Sequence, residues 1–144
     1  MKKKASDLEC PIIHWNADSR VKEDAAEYGA ARRADSTEFS ARIIRLVDAL
    51  PNTRAGNHVA GQLLRSGTSP YGNHGEVEAA ESLKDFIHKL KVCLKELKET
   101  RRWLRLIEKS KMLSEKSMIP ILAETEQLIR IFFTSILTAE QNAK

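Results

Sequence analysis

The chain of 144 residues is poor in several things that would narrow its chemistry. It has two cysteines, Cys10 and Cys93, far apart and without a CxxC pair, which excludes a disulfide framework and suits a reducing cytoplasm. Aromatic residues make up only 6%, and runs of alternating Val, Ile and Thr are missing, so a β-rich fold is excluded. No apolar run is long enough to cross a bilayer: the longest near the C-terminus, Leu128 to Leu137, is interrupted by Arg130. The start MKKK has the charge of a signal-peptide opening, but no apolar stretch follows it. These readings predict a cytoplasmic protein that does not enter a membrane.

Catalytic and metal-binding patterns are equally scarce. A di-iron bundle needs Glu-x-x-His motifs on facing helices. The chain has none, and its nearest approach is Asp85-Phe-Ile-His88. His14, His58 and His74 lack ligand spacing, and neither HExxH nor GxSxG occurs. Five of the six glycines (Gly56, Gly61, Gly67, Gly72 and Gly75) fall between residues 55 and 78, yet no GxxxxGK follows a strand. They read as points of close helix approach and bending rather than as a phosphate loop. Glu76, Glu78 and Glu81 form an acidic group beside a helix N-terminus, which favours negative charge without implying catalysis. The expectation is therefore no enzyme, no catalytic residue, no cofactor and no metal site.

What the chain does have is helical patterning. Hydrophobic residues supply 42% and charged residues 31%, enough for one helical domain with a sizeable core. Residues 1–36 hold seven basic and seven acidic side chains and no sustained apolar period, which predicts a loose arm with a short helix between Val21 and Arg33. A first helix is predicted from near Thr37, with Phe39, Ile43, Leu46, Val47 and Leu50 on one face, ended by Pro51 and Asn52. A second is predicted from about Ala55 to Glu78, kinked or broken by Pro70. A third opens at Ser82, capped with Asp85, and ends around Lys111. A fourth starts at about Ser117, with Pro120 in its first turn and a wide apolar face. Four helices with short joins predict an all-α, antiparallel up-down four-helix bundle over residues 37–140.

The third helix separates its chemistry by face. Leu83, Leu90, Leu97 and Leu104 recur every seven residues; with these as heptad position a, position d holds Phe86, Cys93, Thr100 and Ile107. Positions b and f hold Lys84, Lys91, Lys98, Arg105 and His88, Lys95, Arg102, Lys109. These two lanes are neighbours on the helix surface and run over ~38 Å. Residues 82–111 carry a net +6, whereas every other segment is balanced or slightly acidic, so the basic excess is a local patch. The ridge fits two readings, a solvated bundle surface or a nucleic-acid contact through Lys84, Lys91, Lys95, Lys98, Arg102, Arg105 and Lys109. No base-reading motif is present, so RNA or DNA would be held by its backbone.

Apolar side chains also exceed a simple a/d seam. Trp103 at g, Leu106 at c, and Phe132 and Phe133 on the fourth helix predict either a thicker core or a surface joining copies of the chain.

A family resemblance rests on Gln62-Leu-Leu-Arg-Ser-Gly-Thr-Ser69, Asn73, Glu76, Glu81-Ser-x-x-Asp-Phe-Ile-His-Lys-Leu90 and Lys95-Glu-x-x-Glu-Thr-Arg-x-Trp-Leu104. Together they resemble the small bacterial four-helix bundle proteins first noticed in intervening sequences of ribosomal RNA genes. The chain is also similar to accessory variability proteins of diversity-generating retroelements. The resemblance spans about residues 39–138 and implies a cytosolic bundle assembled as a ring-like homopentamer, with no enzymatic activity assigned. It also implies nucleic acid and a reverse transcriptase as partners in the retroelement branch. Pro70, Gly72 and Val77 depart from the pattern. The combined reading is a non-enzymatic homo-oligomer that binds RNA or DNA through the third helix. The alternative is a scaffolding module whose ridge docks an acidic protein.

Overall fold

The computed structural model describes residues 36–144, and these form four helices joined by short turns. Helix α1 occupies residues 36–48, α2 Arg54–Glu78, α3 Leu83–Lys109 and α4 Glu115–Asn142. The expected arm and the short helix at 21–33 lie outside the described residues, apart from Ser36, which is already helical.

Each boundary follows from local chemistry. The Thr53 hydroxyl accepts the Gly56 N–H at 3.0 Å and starts α2. Gly56 is required there, because a Cβ would sit 2.0 Å from the Pro51 carbonyl oxygen. Ser82 accepts the Asp85 N–H at 3.1 Å, and the Asp85 carboxylate accepts from the Glu81 N–H at 3.2 Å and from Lys89 at 2.9 Å. Lys89 first, and then the Glu81 N–H, hold the Asp85 carboxyl below its ordinary range. At the other end of α3, the Met112 N–H reaches back to the Ile107 carbonyl at 3.2 Å, closing a Schellman-type turn with Lys111 left-handed at φ 57°.

One proline expectation is corrected in part, for a break, and the other in full. Helix α2 runs unbroken through Pro70, which is buried among neighbouring helices. Packing on that buried ring outweighs the one backbone hydrogen bond that proline removes, about 3 kcal/mol in an exposed helix. Pro120 is not in the first turn of α4. Ser114 caps that helix, accepting the Ser117 N–H at 3.3 Å, and Glu115 adds negative charge at the positive end. The helix therefore begins two residues before Ser117, placing Pro120 in the second turn with its exposed ring toward solvent.

The helices alternate in direction. Helix α3 packs along α2 on one side and α4 on the other. Across the α2–α3 contact the Thr100 hydroxyl, donating to the Glu96 carbonyl at 2.9 Å, lies 3.1 Å from the Ser66 hydroxyl. His74 of α2 meets Phe132 of α4 edge-on in the core, with ring centroids 6.2 Å apart. Helix α1 closes the square: Ser40 donates to the Gly67 carbonyl at 3.3 Å, and Arg42 Nε donates to Glu124 of α4 at 2.8 Å. Phe39, Ile43, Leu63, Leu97, Leu104, Ile107 and Met118 are sealed at the centre.

Gly67 sets the α1–α2 distance. A Cβ there would lie 2.6 Å from Cγ2 of the fully buried Ile43. Gly61, Gly72 and Gly75 face open space, so the close-approach reading of the glycines holds for Gly67 and not for these three. Gly67→Ala should destabilise the fold by about 1–3 kcal/mol through overpacking. Gly61→Ala, on an exposed helix surface, should stabilise it by ~0.5–1 kcal/mol. Urea unfolding midpoints moving in opposite directions would bear this out; a midpoint unchanged by Gly67→Ala would contradict it.

Candidate nucleic-acid interface

The buried stripe of α3 determines where its charges point. Leu90, Cys93, Leu97, Thr100, Leu104 and Ile107 are buried, as is Phe86, so positions a and d face inward. Positions c and g lean toward α2. There Arg65 pairs with Glu96 at 3.4 Å and with Glu99, while Trp103 stacks edge-on against His58 at 6.1 Å and donates to Glu99 at 3.4 Å. Positions b and e lean toward α4, where Lys91 pairs with Glu140 at 2.6 Å. Arg101 and Arg105 share Glu126, each at 3.2 Å. Position f is left facing straight out.

All eight b and f side chains are exposed, as the sequence spacing predicts. They are not equivalent. Lys91 of lane b is balanced by Glu140, whereas Arg105 shares the one carboxylate of Glu126 with Arg101, so that group keeps one net positive charge. Lys84, His88, Lys95, Lys98, Arg102 and Lys109 make no ion pair among the described residues. The uncompensated charge therefore runs down lane f from Lys95 to Lys109, with Lys84 and Lys98 beside it. It ends at an open cleft at the α3–α4 turn, lined in part by Arg105, Lys109, Lys111 and Met112. The division was hidden in the sequence because the partners, Glu126 and Glu140, lie on another helix. Their spacing, each seven residues from position 133, was the available signal.

The four residues expected at a subunit contact are also separated. Phe132 is 4% exposed and belongs to the core, so its expected place at an interface is corrected: a broad apolar face on α4 turns this ring inward against His74. Trp103 is half-buried against α2. Leu106 and Phe133 remain exposed, at 46% and 50%. Ile44 of α1 and Leu64 and Tyr71 of α2, which sequence reasoning did not single out, are exposed as well.

Chemistry-bearing groups do not converge elsewhere. Among the described residues no three His, Cys, Asp or Glu side chains are placed to hold a metal ion. No helix there is long and apolar enough to cross a membrane. Cys93 is fully buried, and that burial pushes its thiol up to about 12.

The profile of one protein family, described as 23S rRNA-intervening sequence protein, matches residues 33–134. The chain belongs to that family. The match takes in every residue of the α3 ridge and most of α4. Among solved structures, one similar to it is a protein of unknown function from the S23 ribosomal protein family of Bacteroides thetaiotaomicron. The two are 32% identical with a TM-score of 0.69, over 75% of this chain and 96% of the other. No curated protein matches. The intervening-sequence protein family thus accounts for the bundle, and the ridge is the surface that calls for a function.

Cys93 provides a check on the inward side of α3. In a Cys10→Ser background, a thiol reagent at pH 7 to 8.5 should leave folded protein unlabelled and react fully once denaturant is added, since the thiolate fraction below its raised value is small. Rapid labelling of the folded protein would show that this stripe is not sealed.

Proposed function

We propose that this intervening-sequence protein is a cytoplasmic, non-enzymatic homo-oligomer that binds RNA or DNA backbone through the outward lanes of α3. The observation carrying this reading is the set of exposed cations without acidic partners among the described residues, aligned along one helix from Lys84 to Lys109. A solvated bundle surface gains from pairing such charges with neighbours, as Lys91 and Arg105 are paired. Lane f forgoes that pairing over several turns, leaving a field suited to phosphates. Phosphate contact needs positive charge at roughly regular spacing and little geometric precision, which exposed lysine and arginine side chains supply. The association of the family's name with 23S rRNA genes agrees with a nucleic-acid role.

Assembly of copies, five by the resemblance, would use the exposed apolar residues Leu106, Ile44, Leu64 and Tyr71. It would repeat the ridge around the assembly, so that weak contacts per subunit add by avidity.

Lys95→Glu combined with Arg102→Glu tests the ridge, because neither side chain is tied to a neighbour and the fold should survive. Binding of a mixed-sequence RNA should weaken severely. For duplex DNA the slope of log affinity against log salt should become shallower by about two, near 0.9 per lost phosphate contact. Light scattering should report the parent's mass. Affinity and slope equal to the parent's would refute the reading. Binding by the parent that does not depend on salt would refute phosphate contact by the ridge.

A further inference from the structure

The facing lanes of α3 and α4 form a ladder with one rung altered. On α3, Lys91, Lys98 and Arg105 follow at seven-residue intervals; on α4, running the other way, Glu140, Phe133 and Glu126 do the same. The outer rungs are closed, Lys91 with Glu140 at 2.6 Å and Arg105 with Glu126 at 3.2 Å. By the register of the outer rungs, Lys98 falls at the level of Phe133. Seven residues of helix separate each rung from the next, ~10 Å. An acidic residue at 133 would complete the ladder. Instead the position holds an aromatic ring that is 50% exposed, and Lys98 has no carboxylate partner among the described residues.

That substitution changes what the surface can hold. A half-exposed ring gains nothing in water, and its neighbours Arg130 and Leu137 on α4 are exposed too, Leu137 at 44%. The patch therefore combines exposed apolar side chains with Lys98 of α3 and Arg130 of α4, neither of which makes an ion pair among the described residues. Duplex nucleic acid keeps its bases stacked inside and would use only the cations. Single strands present both phosphates and free base faces, and base stacking on an aromatic ring tolerates any sequence.

We propose that the ridge takes single-stranded nucleic acid, with a base stacked on Phe133 and the adjoining phosphates on Lys98 and lane f. This rests on the nucleic-acid reading of α3 and goes beyond it by naming the strand form and the stacking residue.

The test is fluorescence anisotropy with one labelled mixed-sequence oligonucleotide as ribo single strand, deoxy single strand and matching duplex. Phe133→Ala should weaken single-strand binding about tenfold, in the range of one lost base stack, and leave duplex binding unchanged. Phe133→Trp should bind single strands at least as well as the parent. A ribo strand held tighter than a deoxy strand, or the reverse, supports the inference and identifies the natural strand. If Phe133→Ala leaves single-strand affinity unchanged, or weakens duplex and single strand equally, the stacking inference falls while the Lys95→Glu, Arg102→Glu result decides the ridge. If Phe133→Ala lowers the assembled mass instead, the ring joins subunits and the inference falls. Parent protein that binds none of the three probes overturns both readings.

Discussion

The buried stripe of α3 is the constraint on which the rest of the molecule depends. Leu90, Leu97, Leu104 and Ile107 must face inward because each removes a large apolar surface from water, worth about 1.5–3 kcal/mol per side chain. Once they do, the rotation of the helix is fixed, and with it the direction of every charge it carries. Lanes c and g are sent toward α2, lanes b and e toward α4, and lane f outward. The polar surface is thus a consequence of the core. Cys93 and Thr100 show how little latitude exists: both are buried at d positions, where a small side chain suits the space between helices and Thr100 has Ser66 and the Glu96 carbonyl as hydrogen-bonding neighbours.

The neighbours of α3 then sort its charges into two kinds. Positions beside α2 and α4 find carboxylate or guanidinium partners, and such exposed pairs contribute little stability each, typically ~0–1 kcal/mol. Their larger effect is on the field outside the protein. They neutralise the margins of the basic ridge and confine its positive potential to lane f and to Lys98, where an aromatic ring occupies the place of a carboxylate. If the proposed contact holds, selection of a phosphate chain would come from which cations are left unpaired more than from how many there are.

Much of this could be read in the sequence. The seven-residue recurrence in α3 located the core stripe and the ridge, and Ser82 with Asp85 located the cap, because both signals are local. The matched family agrees with the bundle that the helical periods predict. What could not be read depends on contacts between distant segments. The ion pairs of Lys91 and Arg105 require knowing the register of α4 against α3. Phe132 and Phe133 are adjacent and chemically identical, and only the 100° rotation between them, with α4 packed on a broad apolar face, places one in the core and the other on the surface. The break expected at Pro70 does not occur for a related reason: its local cost is real, but the ring is buried and the helix continues through it.

The central claim is that nucleic acid meets the outward lanes of α3 and not another face of the bundle. Amide and side-chain NMR shifts recorded while a short single-stranded oligonucleotide is titrated into the protein test it directly. The account predicts changes concentrated at His88, Lys95, Lys98, Arg102 and Lys109, with the exposed α1–α2 residues Ile44, Leu64 and Tyr71 unaffected. Changes centred on Ile44, Leu64 and Tyr71 with α3 silent would contradict it.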